Sequence, residues 1–162
     1  MKKKAAFFDR DDTLIRDVHY LSSLEQIEII PGVIDLCLKL QREDYLLFVV
    51  TNQSGVARGY FDEQFVEKTH KYLDGLFKKS GVDFQEWYCC PHHPEYGNKV
   101  ICDCRKPKPG MLLKAARDYE IDLGSSIMIG DKDFDIQAGE AAGCRGFYIQ
   151  EMLENSHKIK KE

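Results

Sequence analysis

Short apolar runs alternate with longer amphipathic stretches along almost the whole chain. Residues 4–8, 46–50, 84–89, 126–129 and 146–149 form the apolar runs, and segments of this length between turn residues read as strands. Residues 33–42, 63–79, 110–119 and 133–142 lie between them and read as helices. Pro31-Gly32 ahead of the first helix, Asp62 as N-cap of the second and Gly81 behind it mark boundaries. Regular strand–helix alternation with short apolar strands predicts an α/β fold: a parallel sheet covered by helices on both faces. No repeat, low-complexity segment or linker interrupts it. Residues 1–150 therefore read as one domain, and 151–162 as a charged tail, either a frayed end or a short surface helix.

The first apolar run ends abruptly in Asp9-Arg10-Asp11-Asp12-Thr13. In open α/β sheets, ligands bind where strands end. Two carboxylates crowded there repel each other unless a cation lies between them, which points to Mg²⁺ and phosphate chemistry; a polar turn is the plainer alternative. Composition narrows the field. The chain has 162 residues, is 43% hydrophobic and carries a net charge of −4, enough for one packed core. A pI near 5.8 argues against nucleic-acid binding through phosphate neutralisation. Between Lys2–Lys4 and the acidic run from Asp9 to Asp12 no long apolar region intervenes, so neither a secretory signal nor a membrane span is expected. Four of six cysteines fall between Cys89 and Cys104, a distribution suited to metal rather than disulfides and to a reduced, cytoplasmic setting.

Three further elements follow in order. Thr51-Asn52-Gln53-Ser54-Gly55 closes the second strand with hydroxyl and backbone donors that can cradle phosphate. Arg105-Lys106-Pro107-Lys108-Pro109-Gly110 presents cations stiffened by two prolines and leads into a helix. Ile129-Gly130-Asp131-Lys132-Asp133-Phe134-Asp135 ends another strand in carboxylates, with Gly130 allowing close backbone approach. The four elements resemble, in sequence and in order, the motifs of the haloacid dehalogenase (HAD) superfamily of phosphatases. The resemblance implies a Rossmann-like three-layer sandwich. It makes Asp9 the nucleophile, Asp11 the general acid and base, Thr51 a phosphate-binding hydroxyl and Lys106 the neutralising cation. Mg²⁺ is then held by Asp9, Asp131 and the backbone carbonyl of Asp11. Asp135 reads equally as support for that site or as a helix cap. Asp12 replaces a common glycine of the family; Asp tolerates left-handed backbone, but its extra charge is expected to weigh on catalysis.

Cys90-Pro91-His92 and Cys102-Asp103-Cys104, separated by nine residues, match a closed tetrahedral zinc site. Cys89 and His93 compete for ligation, and alternation favours Cys90 and His92. Cys37 and Cys144 read as core residues. The wording Cys-Pro-His-His-Pro, Cys-Asp-Cys-Arg-Lys-Pro and Thr-Asn-Gln-Ser-Gly-Val-Ala-Arg-Gly resembles the D-glycero-D-manno-heptose 1,7-bisphosphate phosphatases, which remove a 7-phosphate on the route to nucleotide-activated heptose for lipopolysaccharide or surface glycans. Histidinol-phosphate phosphatases are the nearest alternative, and a non-catalytic zinc-bearing module a more distant one. From this resemblance Asp17, His19, Tyr20, Asn52, Gln53, Ser54, Arg58 and Arg105 are candidates for substrate contact, although His19 departs from the family wording. His19 and His70 read equally well as surface-loop residues. The gaps 13–46 and 51–106 leave no room for a cap domain. An open, loop-governed site on a monomer is expected, acting on a phosphorylated sugar.

Overall fold

The computed structural model of this chain describes residues 2–18 and 20–160, side chains at 156–160 excepted. Five parallel strands form the sheet: β1 (Lys4–Phe8), β2 (Tyr45–Asn52), β3 (Phe84–Cys90), β4 (Ile127–Gly130) and β5 (Arg145–Tyr148), in the order β3-β2-β1-β4-β5. Helices α1 (Val33–Arg42), α2 (Glu63–Lys79), α3 (Gly110–Tyr119), α4 (Asp133–Ala142) and α5 (Ile149–Lys160) alternate with them. The two-residue period of β1 explains the layering. Ala6 and Phe8 point into one core with Leu36 and Leu40 of α1 and Leu73 and Phe77 of α2. Ala5 and Phe7 point into the other, with Leu112 and Ala115 of α3 and Ala138 of α4. Two apolar faces on one strand force two helical layers, giving the expected three-layer sandwich. Phe7 stacks on Phe48 at 5.4 Å in one core, and Phe77 meets Phe84 edge-on at 5.2 Å in the other.

β2 continues to Asn52 because Thr51 and Asn52 still pair with Cys89 and Cys90 of β3. Thr51 is thus part of the strand rather than of the loop after it. Ser126 stands outside β4; its hydroxyl accepts from Ala5 N–H at 2.9 Å and donates to the Asp122 carbonyl at 2.7 Å. Asp62 caps α2 by accepting from Phe65 N–H at 2.8 Å. The chain beyond β5 is the helix α5, and its Met152 and Leu153 pack on the first core. Between β1 and α1 the described chain carries one 3₁₀ turn at Leu24–Gln26, and residues 91–109 join β3 to α3 without a further element. Neither connection inserts a domain over the sheet. The order reverses at β1, whose neighbours β2 and β4 leave it in opposite directions, so the crevice opens at the end of β1.

Candidate active site

Asp9 is the first residue beyond β1, and its N–H still bonds the Ile129 carbonyl at 3.0 Å. That bond fixes the carboxylate in the crevice. Lys106 arrives from the opposite side with its side chain fully buried. A double clamp places it: Lys106 N–H donates to Asn52 Oδ1 at 3.0 Å, while Asn52 Nδ2 donates to the Lys106 carbonyl at 3.1 Å. Its Nζ then donates to Asp9 Oδ1 at 2.8 Å, to the Val50 carbonyl at 2.8 Å and to Asp135 Oδ1 at 2.6 Å. All three ammonium protons are used.

Asp135 bonds Lys106 and also closes the first turn of α4. Its second oxygen accepts from Lys132 N–H at 3.1 Å at the start of α4. A Cβ at Gly130 would collide with the Asp135 side chain, so only glycine lets β4 end this close to α4. Asp131 follows Gly130, and its Oδ1 is buried without a hydrogen-bond partner. Asp9, Asp131 and Asp135 each offer an oxygen, and these lie within 4.8 Å of one another. Lys106 serves Asp9 and Asp135, and Asp131 has only the exposed Lys132 Nζ at 3.7 Å, which leaves a surplus of negative charge among the three carboxylates. Burial pushes the Asp9 carboxyl up to about 8, with Lys106 opposing and Asp135 adding to the rise. Burial and Asp135 raise Asp131 as well. A divalent cation would cancel the surplus and occupy the orphaned oxygen, so the donor set fits Mg²⁺.

Asp11 lies apart from this cluster, with its side chain 27% exposed. The Arg10 Nε and Nη2 groups donate to its two oxygens at 3.0 and 3.2 Å. Gln53 Nε2 donates both to Asp11 Oδ2 at 2.9 Å and to Thr51 Oγ1 at 2.8 Å. One amide thereby joins the end of β2 to the turn after β1. Asp12 has φ 59°, the left-handed backbone expected of it, and accepts from Asp17 N–H at 2.8 Å.

The remaining candidates gather beside the cysteine-bearing loop after β3. The Arg58 guanidinium lies 3.9 Å from the Tyr96 ring centroid and 5.7 Å from that of Tyr20, with Nε buried and lacking a hydrogen-bond partner. Arg105 Nη1 donates to the His92 carbonyl at 3.4 Å. Both guanidiniums act on His93, whose pKa is lowered by partial desolvation and then by Arg105 and Arg58. The two arginines therefore converge. Ser54 sits in the turn between them and β2, where its carbonyl accepts from Arg58 N–H at 3.0 Å. His19 lies outside the described residues.

Cys90, His92, Cys102 and Cys104 also converge within 4.8 Å. Cys90 Sγ is 3.6 Å from Cys102 Sγ and 3.7 Å from His92 Nδ1, while Cys104 Sγ is 3.5 Å from His92 Nδ1 and 2.9 Å from Cys90 Sγ. A tetrahedron of bonds near 2.3 Å has sulfur–sulfur edges of about 3.8 Å, so the set fits zinc with one edge short. Without a metal, burial pushes the Cys90 and Cys104 thiols up, while hydrogen bonds from neighbouring groups bring Cys102 down to about 6 against its burial, so one thiolate is shared among three sulfurs. Cys89 stays out of the cluster, and His93 accepts from Glu95 N–H at 3.0 Å. Cys37 and Cys144 are buried in the cores.

One expectation fails. His70 is not on a surface loop but on the inner face of α2, 7% exposed, with Nε2 3.2 Å from Arg10 Nη1. Sequence reasoning also passed over Arg10 itself, a buried cation between the two motif carboxylates. Alternation along the extended chain turns it away from Asp9, toward α2.

Residues 103–158 match the family model described as HAD-hydrolase-like. Over 146 residues the chain is 46% identical to the D-glycero-beta-D-manno-heptose-1,7-bisphosphate 7-phosphatase of Vibrio cholerae, covering 88% of this chain and 78% of that protein. It is 41% identical over 146 residues to the D-glycero-alpha-D-manno-heptose-1,7-bisphosphate 7-phosphatase of Burkholderia mallei, covering 88% and 77%. Among solved structures, the D,D-heptose 1,7-bisphosphate phosphatase of B. bronchiseptica, complexed with magnesium and phosphate, superposes with a TM-score of 0.81 at 30% identity, over 94% of this chain and 86% of that one. With the motif carboxylates and lysine assembled at the sheet's switch point and nearly the whole chain aligned to such relatives, this protein belongs to the heptose-bisphosphate phosphatase family of HAD-type hydrolases.

Proposed function

We propose that this protein hydrolyses the 7-phosphate of D-glycero-D-manno-heptose 1,7-bisphosphate through an aspartyl-phosphate intermediate, in a pathway to nucleotide-activated heptose. The observation that carries the reading is the buried contact between Lys106 Nζ and Asp9 at the end of β1, in a chain 46% identical to a phosphatase of that name. Asp9 Oδ2 is not engaged by Lys106, which leaves it available to attack phosphorus in line. Asp11 gives a proton to the leaving alkoxide and then takes one from the water that cleaves the acyl phosphate. Lys106 and Thr51 hold phosphoryl oxygens, with Gln53 orienting both the Thr51 hydroxyl and the Asp11 carboxylate. Asp9, Asp131 and the Asp11 carbonyl are the residues that would hold Mg²⁺; both Asp135 oxygens are already engaged, by Lys106 and by Lys132 N–H. When bound, the ion supplies positive charge to the phosphoryl oxygens.

Zinc on Cys90, His92, Cys102 and Cys104 staples residues 89–108 and so aims Arg105 and Lys106. Arg105 and Arg58 meet the non-reacting phosphate, and Asp17, Tyr20 and Ser54 border the sugar. Asn52 and Gln53 serve the substrate through Lys106 and Asp11, to which their side chains are bonded. The unit is the single α/β domain with α5 docked on it through Met152 and Leu153, acting in the cytoplasm as a monomer. Among the described residues no helix is long and apolar enough to cross a membrane. The test is phosphate release, with and without Mg²⁺, from the α and β heptose bisphosphates beside histidinol phosphate. Turnover of a heptose bisphosphate well above histidinol phosphate is the expected result. A preference for histidinol phosphate, or no Mg²⁺-dependent release at all, overturns the reading.

A further inference from the structure

His70 touches none of the groups assigned to the phosphoryl transfer, yet two links tie it to one of them. Its Nε2 lies 3.2 Å from Arg10 Nη1, and the other arm of that guanidinium grips both oxygens of Asp11 at 3.0 and 3.2 Å. Arginine only donates, so the imidazole nitrogen must accept, which makes His70 a neutral ring with its proton on Nδ1. Burial, followed by the Arg10 charge, lowers the His70 pKa to about 3, in keeping with that form. The ring is held from behind as well. Trp87 on the edge strand β3 lies against it at 4.9 Å between centroids and 32° between planes, and Trp87 Nε1 is anchored to Asp74 Oδ1 at 3.1 Å.

Arg10 is buried, so a guanidinium N–H without an acceptor would be penalised there. His70 and Trp87 both line a cleft of about 510 Å³ between α2 and β3. Without an acceptor on the ring, the arginine would gain by swinging toward water in that cleft, and its fork would leave Asp11.

We propose that His70 is a positioning residue for proton transfer: by accepting from Arg10 it fixes the guanidinium fork that aims the Asp11 carboxyl. This rests on Asp11 acting as general acid and base, as above. A poor leaving group such as a sugar alkoxide needs the proton in the first step, whereas a nitrophenolate does not. His70→Leu keeps apolar volume and removes the acceptor; His70→Gln places an amide oxygen close to where Nε2 stood.

The experiment measures single-turnover phosphorylation of the parent and both variants by a heptose bisphosphate and by nitrophenyl phosphate. The expected loss for His70→Leu is about tenfold on the sugar substrate and under about twofold on the aryl one, a fraction of the full acid–base effect. His70→Gln should return to within about threefold of the parent on both. Equal loss on both substrates, no loss on either, or no recovery with glutamine overturns the role and leaves His70 as core packing. If the leucine variant does not fold, nitrogen NMR of the parent decides. A proton on Nδ1 and none on Nε2 supports the role, and the reverse tautomer or a charged ring at neutral pH overturns it. Failure of the parent to turn over either phosphate removes the proposed function itself. Parental turnover with insensitive variants removes only the role of His70.

Discussion

Replacing Lys106 by methionine should destabilise the metal-free protein by an amount the structure lets one work out. The ammonium makes three bonds, to Asp9, Asp135 and the Val50 carbonyl, with no exposed side-chain surface. Removing one partner from a buried ionic cluster costs about 3–5 kcal/mol, because the charges left behind stay desolvated. For a domain of this size that corresponds to a fall in Tm of about 6–20 °C. The sign of the pH dependence follows from Asp9, whose folded-state pKa is raised by burial to about 8. A carboxyl raised in this way contributes stability that is fully present below its unfolded pKa near 4 and lost as pH rises toward the folded value. Lys106 opposes the rise, so its loss moves the Asp9 carboxyl further up and extends the decline to higher pH. The difference in Tm between Lys106→Met and the parent should therefore be large at about pH 7.5 and shrink at about pH 5, where the carboxyls take up protons instead. Added Mg²⁺ should raise the Tm of the variant more than that of the parent, since the ion meets one more uncompensated charge. Thermal melts in chelator at both pH values, then with Mg²⁺, make the comparison. A variant melting within about 2 °C of the parent near neutral pH, or a deficit that does not change with pH, would refute the electrostatic account of the cluster.

Asp9→Asn should abolish phosphate release, since an amide cannot attack phosphorus, while melting no lower than the parent in metal-free buffer because it removes surplus charge; parental turnover would exclude Asp9 as nucleophile. Zinc should co-purify at about one per chain and Cys104→Ser should lower Tm, so elemental analysis finding no zinc in carefully reduced protein would dispose of the zinc loop. Arg105→Ala should cost about 1.5–3 kcal/mol in kcat/KM for the heptose bisphosphate and almost nothing for an aryl monophosphate. Equal losses on both would move Arg105 into the catalytic set and weaken the case for a second phosphate.

The fold was legible because its signals are local and repeated. Each strand is a short apolar run, each helix an apolar stripe, and the acidic or hydroxyl residues fall at strand ends, where a parallel sheet gathers them. The cysteine spacing was legible for the same reason, since Cys90, His92, Cys102 and Cys104, which converge, are separated by short connections. Long-range pairings were harder to read. Nothing near Asn52 in sequence announces that its amide would clamp the backbone of Lys106, 54 residues away. The resemblance suggested substrate contact for Asn52 and Gln53, whereas their hydrogen bonds in the structure go to Lys106, Asp11 and Thr51. His70 was misread although a signal existed. Val66, Thr69, His70, Leu73 and Phe77 form the buried stripe of α2, and the 3.6-residue period places the histidine within it. A histidine in such a stripe needs a buried partner for its ring nitrogens, which here is Arg10.

Local rules break where the chemistry is placed. Among the described residues, the buried side-chain atoms without hydrogen-bond partners are Thr13 Oγ1, Arg58 Nε and Asp131 Oδ1, and each belongs to a motif singled out for phosphate or metal. Asp12 and Tyr20 take positive φ without being glycine in the same loop that follows β1, as Asp44 and Glu120 do at the ends of α1 and α3 and Lys99 does in the loop after β3. A core optimised for stability alone would pair those atoms and relax that backbone. Leaving them without a protein partner costs stability and leaves donors and acceptors for a ligand or water to complete. The same logic covers the carboxylate cluster: buried Lys106 and exposed Lys132 against three acids are too little charge for a stable core and suit a site meant to receive a divalent cation. Filling the cluster with charge, by cation or by proton, should therefore stabilise the fold, and removing Lys106 should make that dependence steeper.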